Sequence, residues 1–211
     1  MINIDKCKWK NGADSAVMFM IDDLANVWHD ANLNGICDLG EDWGHKGYEK
    51  NSMWDFLEKN FLNEFPYLKV TFFLVVGKRA SILKHKDYTY SADILSDDKF
   101  LSFLRDIDKN PMVEIAYHGL THGIAGKKTE DFIQEWQTYS NLDQAIETIN
   151  EGREIFYKAL GYYPRGGKYP GYAYNNFSDE SIAKTGFDWW CRHFDFWLEE
   201  KREIIRITLM K

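Results

Sequence analysis

Short apolar runs of strand length alternate along this chain with longer stretches of helical period, and few architectures accept that alternation. Residues 16–21 (AVMFMI), 69–77 (KVTFFLVVG) and 112–118 (MVEIAYH) are near-continuous apolar segments, the pattern of strands buried on both faces. Between and after them lie three helical stretches. Residues 51–65 place Trp54, Leu57, Phe61, Leu62 and Phe65 on one face behind Ser52 or Asn51 as cap. Residues 97–110 do the same with Phe100, Leu101, Leu104 and Ile107, ending at Pro111. Residues 141–161 carry Leu142, Ile146, Ile149, Phe156 and Leu160 up to a closing Gly161. A Gly/Pro-framed strand and loop (166–172, GGKYPGY), a short helix capped by Ser178 (178–186) and strand candidates at 187–191 and 204–210 complete the series. No linker or repeat interrupts it. The expectation is one α/β domain over residues 1–211, a parallel sheet or (β/α) barrel.

In such folds the loops that follow the strands gather at one end, where chemistry is built. After the first apolar run stand Asp22 and Asp23; after the third stands HGLTH, with His118 and His122 four apart; after the fourth strand stands KYPGY. One carboxylate and two imidazoles from separate loops make a three-ligand metal site with open positions, and the second carboxylate is then placed to be a base. Each motif alone has a plainer reading, a loop or cap for the aspartates and surface residues for the histidines. Their coincidence at matching strand ends favours the metal site.

A net charge of −7, with no dense Lys/Arg cluster, argues against nucleic acid as the main partner. No apolar run approaches the length of a membrane span, and the opening residues have no signal-peptide core, which leaves a cytoplasmic protein or a trimmed secreted one. Cys7, Cys37 and Cys191, an odd number without metal-type spacing, argue against a disulfide framework. Aromatic residues reach 16%; composition favours the core for most of them, while Trp and Tyr also suit a cleft that stacks on sugar rings.

Residues 30–41 (DANLNGICDLGE) match a calcium-loop template: Asp30, Asn32, Asn34, the carbonyl of Ile36, Asp38, and Glu41 at the twelfth place, with Gly35 at the sharp turn. Hard oxygen donors at alternate positions suit calcium. The flanks are not helical, so the expectation is a stapled insertion over about residues 24–50 beside the site, not a sensor. Trp28, Trp43 and Tyr48 either line a cleft wall there or pack the insertion onto the domain.

The segments WKNGADSAVMFMIDD, VTFFLVVG, EIAYHGLTH, KYPGY and GFDWW resemble, in order and approximate spacing, the NodB-type polysaccharide deacetylases, over about residues 9–190. The resemblance implies an irregular (β/α) barrel that removes acetyl groups from N- or O-acetylated oligo- or polysaccharides with a divalent metal, often zinc. It makes Asp22 the general base, and Asp23, His118 and His122 the metal ligands. It places Tyr169, Pro170, Gly171, Tyr172 and Trp190 around the substrate, with a backbone N–H near Pro170–Gly171 for the oxyanion. Two departures stand out. Lys168 occupies the place of an arginine that steadies the base. The family's closing Leu-x-His, whose histidine protonates the leaving group, has only Leu209, Met210 and Lys211 here, so the motif lies beyond Lys211 or is absent; His193 is the substitute within this chain. Asp188 and Asp195 share the place of a supporting acid. Two alternatives stay open: a sugar-binding barrel without turnover, and a hydrolase of a non-sugar amide.

Overall fold

The computed structural model describes residues 8–42, 44–83 and 88–192. The apolar runs become the centre of a five-stranded sheet: β1 (Phe19–Leu24), β3 (Val70–Leu74), β5 (Val113–Tyr117), β8 (Gly166–Lys168) and β9 (Trp189–Cys191), in that spatial order. Every neighbouring pair is parallel, so each connection must cross the sheet and the strand ends collect on one side. Alternate residues explain why the runs are apolar throughout. Phe72, Leu74, Ile115 and Tyr117 join the main core, while Phe73 and Ala116 are equally buried between them. Phe73 faces His118 and Trp189, with ring centroids 5.8 and 6.2 Å away.

The amphipathic stretches fold as helices and pack on that core. α1 (Met53–Leu57) begins where Ser52 Oγ accepts the N–H of Asp55, and it widens into a π turn over Glu58–Leu62. α2 (Asp98–Asp108) buries Phe100, Phe103, Leu104 and Ile107. α4 (Leu142–Leu160) buries Ala145, Ile149, Phe156 and Ala159, and Gly161 ends it at φ 83°. A Cβ at Gly152 would lie 2.0 Å from the Tyr117 hydroxyl, so only glycine lets α4 approach the sheet there. α5 (Ser178–Lys184) starts at Ser178 itself, with Phe177 in the cap position expected for Ser178. Among the described residues, no helix is long and apolar enough to cross a membrane. The strand candidate at 204–210 lies outside the described residues.

Small elements dress the strand ends. β2 (Val27–Trp28) pairs antiparallel with β4 (Tyr90–Ser91), and β6 (Gly123–Ile124) pairs with β7 (Ile133–Gln134) just before α3 (Glu135–Thr138). The insertion after β1 is fastened by β2 and by packing. His45 stacks on Tyr90 at 4.0 Å, Lys46 lies over the Trp28 ring at 4.2 Å, and Tyr48 meets Phe103 edge-on at 5.3 Å. Trp28 and Tyr48 therefore serve attachment; Trp43 lies outside the described residues.

One boundary differs with consequence. The first strand occupies 19–24 and not 16–21, so Asp22 and Asp23 lie inside β1 and not after it. Hydrogen bonding to β3 decides this, because Phe19 and Leu24 find partners in Val70 and Leu74 whereas Val17 and Met18 are exposed.

Candidate metal centre

β1 delivers both aspartates at a break in its own ladder. Pairing with β3 shifts register between Ile21 and Leu24, and Asp23 takes a left-handed φ of 67°. Such a bulge re-aims side chains, at about 1–3 kcal/mol of strain for a non-glycine residue. The two carboxylates consequently face different partners. Lys168 Nζ, from the end of β8, lies 2.9 Å from Asp22 Oδ1 and 2.6 Å from Oδ2. Asp23 Oδ1 lies 3.0 Å from His122 Nε2 and 3.9 Å from His118 Nε2.

His118 follows β5 directly, and its Nδ1 lies 2.9 Å from the backbone oxygen of Lys168. A carbonyl only accepts, so Nδ1 carries the proton and Nε2 keeps its lone pair on the Asp23 side. Burial, reinforced by His122 and opposed by Asp23, pulls the His118 pKa down to about 4, which leaves a neutral imidazole at pH 7. Asp23 moves in its own favour: burial opposes its charge, but the His122 hydrogen bond and the Arg79 guanidinium hold it well below the usual carboxylate range. Burial likewise works against Lys168, yet the bond to Asp22 and the adjacent Tyr172 hold its ammonium above the usual lysine range. Lys168 Nζ also sits 4.1 Å over the Tyr172 ring.

Two residues that carry this arrangement are missing from the sequence motifs. Glu135, the first residue of α3 and 2% exposed, accepts the backbone N–H groups of Leu120, Thr121 and His122 at 2.7–2.8 Å, and the Tyr139 hydroxyl at 2.8 Å. It holds the 118–122 loop in a shape where His122 has φ 72° and Gly119 has φ 96°. A Cβ at Gly119 would come within 2.6 Å of Glu135 Oε2. Arg79 donates from Nη2 (3.0 Å) and Nε (3.2 Å) to Asp23 Oδ1. A charged residue just past the glycine that closes a buried strand, at the same sheet end as Asp22 and Asp23, is the signal that points to Arg79. Glu135 has none beyond its place in the chain after the histidine pair.

Among the described residues, Asp23, His118 and His122 are the one group of three His, Cys, Asp or Glu residues whose candidate ligand atoms all lie within 4.8 Å of one another. One ionised carboxylate and two neutral-capable imidazoles, one with its outer nitrogen pinned to a carbonyl, fit a zinc-class ion.

The remaining expected residues divide. Tyr169 is not a cleft residue: it is 1% exposed, its ring packs on Trp136 and Trp190, and its hydroxyl bonds Asp179 at 3.0 Å. Trp190, half-buried, packs its ring among Trp136, Tyr169 and Phe187, and Pro170 is buried. Hydrophobic packing claims these rings, as composition favours. Gly171 is exposed at φ 56°, and Tyr172 spends its N–H on the Tyr169 oxygen at 3.0 Å, which removes that group as an oxyanion donor. Asp188 pairs with Arg165 on an exposed surface. His193 and Asp195 lie outside the described residues.

In the 30–41 loop every expected side-chain ligand is engaged locally. Asp30 accepts the N–H groups of Asn34 and Gly35, and Glu41 those of Ala31 and Asp38. Asn32 and Asn34 each donate to Asp38 Oδ2, and their own Oδ1 atoms accept from Asn34 and Ile36 N–H. The Ile36 side chain is exposed.

Among solved structures, the chain is similar to a polysaccharide deacetylase from Bacillus cereus, at 13% identity and TM-score 0.48, over 85% of this chain and 40% of that one. It is similar to a Streptococcus pyogenes deacetylase in complex with acetate, at 12% and 0.47, over 85% and 57%. A family 4 acetyl xylan esterase from Clostridium thermocellum in complex with a cobalt ion follows at 12% and 0.42, over 80% and 53%. The chain thus spans about half the length of the solved structures it matches. A search of curated proteins finds no match. The family whose model matches is not a deacetylase family. That model is described as glycosyl hydrolase family 57; it matches residues 81–193, more than half of the chain, and this chain belongs to that family.

Proposed function

We propose that this protein is a metal-dependent hydrolase that removes acetyl groups from an N- or O-acetylated carbohydrate. The observation that carries the reading is the convergence of Asp23, His118 and His122 beside an aspartate, Asp22, that has its own cation. Asp23, His118 and His122 would hold the ion, zinc being the best match to the donors. A bound ion would supply polarisation of the acetyl carbonyl and acidification of a water. Asp22 takes the proton as water attacks, and Lys168, fastened to both carboxylate oxygens, orients it. Tyr172 and Gly171 remain the substrate-facing candidates of the KYPGY segment, and His193 the candidate proton donor. The 30–41 loop is read as a calcium staple for the insertion, within one domain.

Family membership favours a second reading, hydrolysis of a glycosidic bond. That chemistry requires a carboxylic acid with raised pKa facing a second carboxylate. Asp23 is held low and Asp22 is engaged by Lys168, so neither is arranged as the proton donor, and the metal reading stands first.

Metal content by mass spectrometry tests the site without a choice of substrate. One zinc-class ion per chain in the wild type, lost in His118→Ala, is expected; no uptake by the wild type refutes the proposal. Acetylated oligosaccharides then separate the reactions. Free acetate supports deacetylation, new reducing ends without acetate support the second reading, and acetate only from non-sugar amides moves the substrate off carbohydrate.

A further inference from the structure

We infer that Arg79 is a positioning residue that locks Asp23 against the two histidines and thereby sets how tightly the centre holds its ion; this rests on the metal reading above. Asp23 comes from β1 and the histidines from the end of β5, with β3 between them, so the donor set depends on something that spans the gap. The segment following β3 does so. Val76, Gly77 and Ala80 donate their N–H groups to the carbonyls of Gly119, Leu120 and Thr121, which stitches residues 76–80 along the histidine loop. From that stitched segment the Arg79 side chain, 6% exposed, reaches back to Asp23 with two N–H groups on one oxygen. Its third nitrogen, Nη1, donates to the Ala80 carbonyl at 3.1 Å and to the Tyr88 hydroxyl. Anchored at both ends, the guanidinium has little freedom to follow a moving carboxylate.

Asp23 needs such an anchor. It holds a left-handed φ at a bulge, a conformation that persists only when its surroundings over-determine it. The oxygen held by Arg79 is also the one nearest both Nε2 atoms. Positive charge beside a cation site works against metal binding, but the guanidinium is already matched by the Asp23 carboxylate. Freed of Arg79, Asp23 can relax its strained backbone and turn toward water, so the loss of placement outweighs the relief of repulsion.

The test is zinc affinity by chelator competition on the full chain, for the wild type, Arg79→Met and Arg79→Lys. Arg79→Met, similar in length but without donors, is expected to bind at least about tenfold more weakly, as for other groups that orient a ligand. Arg79→Lys keeps the charge and loses the fork, and is expected to recover only part of the affinity. The absorption of bound cobalt(II) should shift in both variants, because the geometry of one donor changes; a purely structural role would lower thermal stability and leave that spectrum alone. Should Arg79→Met not fold, Arg79→Lys decides: weaker zinc with a shifted spectrum supports the inference, and wild-type behaviour overturns it. Arg79→Met affinity equal to or tighter than wild type also overturns it. A wild type that takes up no zinc removes the metal reading, and this inference with it; a wild type that binds while both variants match it removes only the role of Arg79.

Discussion

The two irregular loops singled out by the sequence, 118–122 and 30–41, are held by opposite means. The histidine loop cannot satisfy itself. Three successive N–H groups go to Glu135, other carbonyls go to the segment after β3, and one imidazole is pinned by the Lys168 carbonyl. The 30–41 loop closes its side chains on themselves, with Asp30, Asn32, Asn34, Asp38 and Glu41 bonded within the same twelve residues. Only its ends tie outward, Asp30 N–H to Thr89 Oγ1 and the Glu41 carbonyl to His29 N–H. A loop that is fastened from several distant elements has its side chains placed to within the tolerance that chemistry needs. A loop whose side chains bond one another keeps its own shape without placing them for an outside partner. That contrast is what the proposed function predicts for a loop that holds metal ligands and a loop that staples an insertion.

The sharpest way to break the contrast is to remove the outside fastening. Glu135→Ala leaves three amides, that of His122 buried and those of Leu120 and Thr121 half-buried, and a buried tyrosine hydroxyl without their acceptor, and the expected loss is about 3–5 kcal/mol of folding stability. Urea unfolding measures it, and zinc uptake should fall with it. An unchanged midpoint would mean that the loop does not depend on Glu135. The other pinned group, Lys168, should behave differently. Lys168→Met is expected to cut turnover by about a hundredfold while leaving zinc content near one per chain, because Lys168 orients Asp22 and not the metal ligands. Lys168→Arg should restore a good part of the rate, since its fork can take both carboxylate oxygens. Equal loss of zinc in Lys168→Met would place Asp22 and Lys168 inside the metal site.

Between the loops lies a third carboxylate that makes the insertion pH-sensitive. Asp42 is 1% exposed, one oxygen accepts the Gly44 and Lys46 N–H groups, and the other is buried without a hydrogen-bond partner among the described residues. Burial, with Glu49 adding to it, pushes its pKa up from 3.8 to about 6. A pKa higher in the folded state means that folding favours the protonated acid. The stabilisation is complete below the unfolded value and is lost as pH rises through about 6. The stability of the wild type relative to Asp42→Asn should therefore fall between about pH 4 and 7, by up to about 3 kcal/mol. Paired unfolding curves across that range measure it, and a flat difference would show that Asp42 ionises freely in the folded chain.

What could be read from the sequence follows the range of the interactions. Helices α2 and α4 and strands β3 and β5 were legible because period and caps are local. The 30–41 turn was legible as a turn for the same reason, since its spacing contains its own bonding; calcium in it belongs to the proposed function. Asp22, Asp23, His118 and His122 were legible as motifs, but that the aspartates sit at a bulge inside β1, and the way all four are held, was not. The β1 boundary was misplaced by three residues, because pairing of Phe19 with Val70 leaves no local mark. Arg79 and Glu135 act 56 and 13 residues away from Asp23 and His122, distances over which no period or spacing rule speaks. Tyr169 is kept by packing and not by a cleft, since a ring in a Gly/Pro frame looks the same in sequence in either place.

The smallest expected effect sharpens the comparison most, because it asks whether the 30–41 loop is complete without an ion. Asp30→Ala removes the acceptor of two N–H groups at the sharp turn, where Gly35 has φ 74°. With the turn partly in water, the expected cost is about 1 kcal/mol, felt in the insertion and not at the histidines. Zinc content should be unchanged. If the loop takes calcium, millimolar calcium should raise the wild-type unfolding free energy by on the order of 1 kcal/mol and leave Asp30→Ala unmoved. Bonds from Asp30 and Glu41 to backbone N–H groups would then be exchanged for bonds to the ion, and limited proteolysis of the loop should slow on calcium addition. If calcium moves neither protein, the internal bonding is sufficient by itself, and the sequence that spells a calcium site spells a self-capped turn instead.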